Sequence, residues 1–335
     1  MAADARPLVT IVIPAFNADR FVGRAITSAL SQTYADLEIL VVDDGSSDGT
    51  ARVVTSFRDG RVRYLFQPNQ GQGAARNRAI RMSTGKYVTF LDADDCYLPR
   101  KVERQVAFLE RHPDHQVAFC AVVHFYSRHP GRLYGRPYSS ANHDILRDLL
   151  QTSLINPNAL MIRGDILRGG FFFREERYYP EEWDLCLRLA RAGYRFGYLD
   201  EALAVVEIRE GSNTAMAIQG TLKRHALEMF QRLFSEMSEQ ERRALGADAV
   251  LRMCKVRLAA ACLVGERPAD SAGVLTEIAS PAVAALARTV LRAIPRGAVR
   301  TVAGGAWRLR QRLSLTRWRD PDVEREWRHV WQHCR

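Results

Sequence analysis

Two aspartates one residue apart, Asp92 and Asp94, close the apolar run Tyr87-Val88-Thr89-Phe90-Leu91. Carboxylates so spaced at the end of a strand can face a common hard cation. Mg²⁺ and Mn²⁺ favour such oxygens and complete their shells with phosphate and water. An isolated Asp-x-Asp is more often a solvated turn, or here a cap ahead of Pro99. A second acidic loop, Asp43-Asp44-Gly45-Ser46-Ser47-Asp48, closes another apolar run at 37–42 and shifts the reading toward a site. An aspartate there can accept a hydrogen bond from a base N–H, and the glycine allows a tight turn. Taken alone it would be an ordinary Asp/Ser/Gly turn.

Two further segments carry usable chemistry. Gly71-Gln72-Gly73-Ala74-Ala75-Arg76-Asn77 opens a helix with residues small enough for backbone to approach a ligand, and Arg76 adds positive charge. The alternative is close packing at a helix entry. It is not a dinucleotide fingerprint, since the third glycine is absent and it does not follow the first strand, and there is no Walker A sequence. Glu181-Glu182-Trp183-Asp184 begins another helix, where acids suit the positive end of the dipole. One of them could instead act as general base toward a hydroxyl.

The intervening pattern says what must position these groups. VTIVIP (9–14), LEILVV (37–42), VRYLF (62–66), KYVTFL (86–91) and QVAFCAVV (116–123) are apolar runs of strand length. Between them Phe21, Val22, Ala25, Ile26, Ala29 and Leu30 share one helical face. A helix is expected from about Ala74, and another after Pro99 carrying Val102, Val106 and Leu109. Such alternation implies an α/β architecture with a mainly parallel sheet, and in such sheets ligands bind beyond the carboxyl ends of the strands. Both acidic loops lie at those ends. Residues 140–209 read as mixed structure with a helix at about 183–192. Beyond about 215 only helical signals remain, so the expected division is 1–215 and 216–335.

In order and spacing, TIVIPAFN (10–17), ILVVDDGSSDGT (39–50), NQGQGAARNRAI (69–80), YVTFLDADD (87–95), GGFFF (169–173) and EEWDLCLRLARAG (181–193) resemble the family 2 glycosyltransferases. The resemblance implies a GT-A, Rossmann-like fold and inverting transfer from a nucleoside-diphosphate sugar to an acceptor hydroxyl. It carries Pro14, Phe16, Asn17 and Asp44 to the nucleoside, with Asp44 facing the base, and Gly73 and Arg76 to the diphosphate. Asp94 binds Mn²⁺ or Mg²⁺, Asp92 contacts the ribose or the metal shell, and Glu182 is the catalytic base. Related sequences usually place Asp in an E-D-x-D pattern where this chain has Glu182, one methylene longer; Glu181 and Asp184 remain alternative bases. The resemblance favours UDP as carrier and a saccharide or lipid-linked acceptor in bacterial surface polysaccharide or glycolipid synthesis. The rival readings are a sugar nucleotidyltransferase, whose G-x-G-T-R signature is missing, and a non-catalytic sugar-nucleotide-binding or scaffold protein.

Composition narrows the setting. The chain has 335 residues and a net charge of +10, but residues 288–319 hold nine arginines (288, 292, 296, 300, 308, 310, 312, 317 and 319) and no acid. The rest is close to neutral, so no nucleic-acid partner is expected. A basic segment with Trp307 and Trp318 can instead lie on an anionic membrane surface, or cover the main domain as a solvated face. The six cysteines form no C-x-x-C pair, which argues against structural zinc and for a reducing compartment. With no signal-peptide pattern and no spanning apolar stretch, the expected location is cytoplasmic, with peripheral attachment to the inner membrane face through 288–319.

Overall fold

The computed structural model describes residues 6–127, 129–135, 138, 144–177, 179–209, 221–264, 316–317 and 320–333. The basic segment 288–319 lies outside these residues, apart from the short strand at 316–317. The chain divides into two compact units, one of residues 1–177, 181–208 and 317–335, the other of 178–180 and 209–316.

The first unit is built on a mixed sheet. Strands β1 (Val9–Ala15), β2 (Leu37–Asp43), β3 (Val62–Phe66) and β4 (Tyr87–Phe90) are parallel, in the order β4-β1-β2-β3. Every residue of β1, β2 and β4 is buried. That is why these segments read as unbroken apolar runs: strands covered on both faces have no polar side to alternate with. Each fully buried Val, Ile or Leu contributes about 1.5–3 kcal/mol. Helices α1 (Val22–Leu30), α2 (Thr50–Ser56), α3 (Gln72–Met82) and α4 (Lys101–Arg111) fall between the strands, with α1 burying Val22, Ala25, Ile26 and Ala29 on one stripe. The helix expected from about Ala74 begins at Gln72, directly after Gly71 at φ +97°.

Beyond β4 the sheet changes character. The two-residue β5 (Cys96–Tyr97) is followed by β6 (Val117–Tyr126), β7 (His129–Gly135), β8 (Leu160–Arg163) and β9 (Phe196–Ile208). β8 lies antiparallel between β4 and β6, while β9 runs parallel to β6 and antiparallel to β5. The short β10 (Thr316–Arg317) completes the edge beside β7. Helices α5 (Ile145–Gln151), α6 (Gly164–Arg168) and α7 (Glu181–Arg191) complete this half.

The second unit contains α8 (Thr221–Ser235), α9 (Glu239–Leu245) and α10 (Ala247–Val264). Phe230, Leu233, Phe234, Met237, Cys254 and Leu258 are among its buried side chains. A capping box at Ser238 and Glu241 starts α9, and Gly246 in the left-handed region ends it. The last helix, α11 (Pro321–His333), belongs to the first unit. Its Val323, Trp327 and Val330 close a core cluster with Leu98, Val123, Phe125, Leu133 and Val205. The sequence suggested one helical region from 216 to the end. The apolar face of α11 is instead covered by this cluster. No described helix is long and apolar enough to cross a membrane.

Candidate active site

Because β4, β1 and β2 are parallel neighbours, their carboxyl ends open on one edge of the sheet. That edge carries Asp92–Asp95 after β4, Phe16–Asn17 after β1 and Asp43–Asp48 after β2. Asn17 is the one non-glycine described residue with positive φ, 47°, a conformation that Asn tolerates better than most residues. Its Oδ1 accepts from the Ser47 N–H at 2.9 Å and its own N–H donates to Ser46 Oγ at 3.0 Å, which ties two of the loops together. Gly45, at φ +80°, has the Asn69 backbone nitrogen 2.7 Å from where a Cβ would stand.

The acidic pair of the second loop is largely engaged. Asp43 accepts from the Ser46 N–H at 2.8 Å and from the Tyr64 hydroxyl at 2.7 Å. Asp44 is buried, accepting at Oδ1 from Gln67 Nε2 (2.7 Å) and the Gln70 N–H (2.9 Å), and at Oδ2 from the Gly71 N–H (2.8 Å). It thereby holds the segment that leads into α3. One acceptor position on Oδ2 is left for a ligand. Pro14 is buried within β1, whereas the Phe16 ring beyond it is 52% exposed.

Arg76 organises the centre. It is fully buried, and its Nη1 donates to Glu181 Oε1 and its Nη2 to Asp92 Oδ1, each at 2.7 Å. Gln72 Nε2 also donates to Asp92 Oδ1, at 3.2 Å. The guanidinium lies over the Phe173 ring at 5.3 Å, and Phe173 meets Phe90 of β4 edge to face. Asn77 binds the Phe173 backbone in both directions, donating at 2.9 Å and accepting at 2.8 Å. The FFF segment is thus a wall behind Arg76. Gly73 is what allows α3 to reach it: a Cβ there would lie 2.1 Å from the Arg174 carbonyl oxygen, a backbone atom that cannot swing away. Gly73→Ala is therefore expected to cost roughly 3 kcal/mol and to lower the melting temperature by several degrees. A melt matching wild type would contradict this packing.

Of the three acids that open α7, two are committed. Glu181 pairs with Arg76; Asp184 pairs with Arg188 at 2.7 Å and with Arg174 at 3.7 Å. Glu182 makes no ion pair among the described residues. Burial, followed by the negative charge of Glu181 and Asp92, pushes its carboxyl up to about 7, against the opposing pull of Arg76. Asp92, Glu181, Glu182 and Arg76 therefore share one electrostatic field. Glu181 is also raised, by burial first, although Arg76 pulls against it.

Asp95 ends the YVTFLDADD run without an assigned role, and its supports Asn158 and Arg24 carried no sequence signal. Asp95 is buried, accepting from Asn158 Nδ2 at 2.7 Å and from the Glu207 N–H at 3.0 Å. Burial and then the charges of Asp94 and Asp92 hold its carboxyl well above the usual range. Asn158 also accepts from the Asp92 N–H at 2.7 Å, so its one amide spans the loop. Arg24 donates to the Asp94 carbonyl at 2.6 Å.

The residues fit a divalent cation. Asp92 and Asp94 are both partly exposed hard donors, and carboxyl crowding adds to burial in raising Asp95 and Glu182, with Arg76 pulling the other way at Glu182. A cation at Asp94 and Asp92 would relieve that crowding.

The model of the family described as Glycosyl transferase family 2 matches residues 10–169. An uncharacterized glycosyltransferase of Rickettsia prowazekii (strain Madrid E) is 32% identical over 217 residues, covering 63% of this chain and 67% of that protein. A UDP-Glc:alpha-D-GlcNAc-diphosphoundecaprenol beta-1,3-glucosyltransferase of Escherichia coli is 40% identical over 103 residues, 30% of this chain and 41% of that protein. Among solved structures, S. aureus TarS 1–349 in complex with UDP-GlcNAc superposes with a TM-score of 0.61 at 18% identity, covering 81% of this chain and 80% of that one. A mannosyltransferase from Pyrobaculum calidifontis in complex with GDP-Man and Mn²⁺ gives 0.58 at 20% identity, covering 90% and 84%. The fold is the GT-A fold.

Proposed function

This chain belongs to glycosyl transferase family 2, and from that premise we propose that it transfers a hexosyl group from a UDP-linked donor to an acceptor hydroxyl with inversion at the anomeric carbon. The observation that carries the reading is the position of Glu182. It is a carboxyl raised to about 7, beside Asp92 and Arg76, with its two acidic neighbours already paired to arginines. A base matched to neutral pH is what deprotonating a hydroxyl requires.

In this reading Asp44 offers its remaining Oδ2 position to a base N–H, and the exposed Phe16 ring lies against the base. Asn17 fixes the turn between them. Asp94 and Asp92 would hold Mn²⁺ or Mg²⁺, which would supply charge stabilisation to the leaving diphosphate. Arg76 keeps Asp92 and Glu181 in place. Glu182 accepts the acceptor's proton while that oxygen bonds the anomeric carbon, and the bond to the β-phosphate oxygen breaks on the opposite face. The activated oxygen and the leaving group therefore lie on opposite sides of the ring, as inversion demands.

A panel of nucleotide sugars with Mn²⁺ tests the reading. One UDP-sugar is expected to raise the melting temperature by mass action and to undergo slow hydrolysis without acceptor. A panel with neither effect would remove the transferase and favour the scaffold reading. The E. coli relative is named for an acceptor that is a diphosphoundecaprenol-linked sugar, which supports a lipid-linked acceptor here, and so a role in surface glycan synthesis. Attachment to anionic membrane through the arginines of 288–319 fits that acceptor. Replacing Arg288, Arg292, Arg296 and Arg300 by Gln is expected to reduce flotation with anionic liposomes. Unchanged flotation would end the membrane proposal. A deletion from 286 onward would be a poorer test, because it also removes α11 from the core of the first unit.

A further inference from the structure

Arg24 lies on α1, far in sequence from every other group of the cation-binding loop, yet it joins that loop to the last helix. Its Nη2 donates both to the Asp94 carbonyl at 2.6 Å and to Glu207 Oε2 at 2.5 Å. Glu207 is tied in turn: its backbone N–H holds Asp95 Oδ1 at 3.0 Å and its Oε1 accepts from Ser127 Oγ at 2.7 Å. Both side chains of this ion pair are about nine-tenths buried, Arg24 at 10% exposure and Glu207 at 7%. Arg24 Nε is buried and has no hydrogen-bond partner among the described residues. What covers the guanidinium is aromatic: the Trp331 ring of α11 at 5.2 Å and the Phe125 ring of β6 at 5.9 Å. Trp331 packs in turn on Phe125 and Trp327.

We propose that α11 is a positioning element of the cation site, with Trp331 acting through Arg24 to fix the backbone of Asp94. The inference rests on the reading of Asp94 and Asp92 as cation ligands. A guanidinium covered by two aromatic rings has few orientations left. The one it adopts points Nη2 at the Asp94 carbonyl and at Glu207, and Glu207 pins Asp95 from the other side. The aspartate loop is thereby clamped at successive residues by groups that never touch the cation. Without the ring of Trp331, Arg24 gains freedom and its bond to the Asp94 carbonyl weakens. Ligand geometry then has to be imposed at the moment of binding, and affinity falls accordingly.

The test is Mn²⁺ binding to the full chain in the presence of UDP, read from the paramagnetic signal of free Mn²⁺. Trp331→Leu keeps apolar bulk but removes the π face, and is expected to weaken Mn²⁺ by about tenfold, the scale of a desolvated cation–π contact. Trp331→Phe, which keeps a ring, is expected to restore most of that loss. Metal-free UDP binding is expected to stay at the wild-type level in both. Val330→Ala loosens the same helix in the core cluster without removing a ring, and is expected to lower the melting temperature while leaving Mn²⁺ affinity intact. A Trp331→Leu affinity equal to wild type overturns the proposal. So does a Val330→Ala loss equal to that of Trp331→Leu, which would mean that α11 contributes stability alone. If wild-type protein binds no Mn²⁺ with UDP, the cation reading and this inference fall together; failure in the Trp331 variants alone leaves the cation reading standing.

Discussion

Glu182→Gln is expected to lower sugar transfer by about 10²–10⁴-fold, the usual contribution of a general base, while UDP and Mn²⁺ still bind. The amide preserves size and polarity but cannot take a proton. Wild-type protein is expected to gain activity as pH rises through about 7 and to level off above it, because only the ionised carboxylate accepts the acceptor's proton. The same group makes a stability statement of opposite sense. Its folded value of about 7 lies above the ordinary 4.5, so between those limits the folded chain holds more protons than the unfolded one. Stability from Glu182 is therefore full at low pH and is lost as pH rises through about 7. Glu182→Gln is expected to flatten both dependences. Full turnover in this variant, or an unchanged pH profile, would remove Glu182 from the chemistry. Glu181 and Asp184 are then the weaker substitutes, since each is already paired with an arginine.

The largest stability effect is expected from Arg76→Met. The buried guanidinium joins Asp92 and Glu181 and its positive charge lowers the Glu182 carboxyl. Breaking a buried pair by removing one partner typically costs about 3–5 kcal/mol, because the remaining charges stay uncompensated. For a chain of this size that corresponds to a fall in melting temperature on the order of 10 °C. With Arg76 gone, its lowering pull on the Glu182 carboxyl disappears, so residual activity is expected to require higher pH than in wild type. Arg76→Lys is expected to recover only part of the loss, since one ammonium cannot fork between two carboxylates as a guanidinium does. A variant with unshifted melting and an unshifted pH limb would show that Arg76 is not the hub of the site.

How much of this was legible in the sequence depended on distance along the chain. The strands β1, β2 and β4 announced themselves because burial on both faces leaves no polar alternation to confuse. Their shared direction then put Asp44 and Asp92 on one edge of the sheet. Arg76 stood out by its neighbours, but its full burial between Asp92 and Glu181, and the close packing of Gly73 against Arg174, were not legible there. Asn158, Arg24 and Glu207 could not be found from sequence, since each is a single ordinary residue whose partner in the aspartate loop lies more than sixty positions away. The return of α11 was hidden for the same reason. Its Trp327 and Trp331 read as part of a helical end region, and nothing local says which surface covers them. What sequence conveys well is a periodic pattern or a dense local motif, and a clamp made of single residues from four elements is neither.

The central claim is that the aspartates after β4 and the second glutamate of α7 act on one bound donor. It is tested most directly by the anomalous scattering of Mn²⁺ in crystals grown with UDP. The predicted result is one Mn²⁺ peak bonded to an Asp94 or Asp92 oxygen and to the diphosphate, with the Glu182 carboxylate facing the open side where the sugar would lie. A peak confined to His112, Asp114 and His115, whose ligand atoms lie within 4.8 Å of one another, or a diphosphate seated away from Glu182, would contradict it.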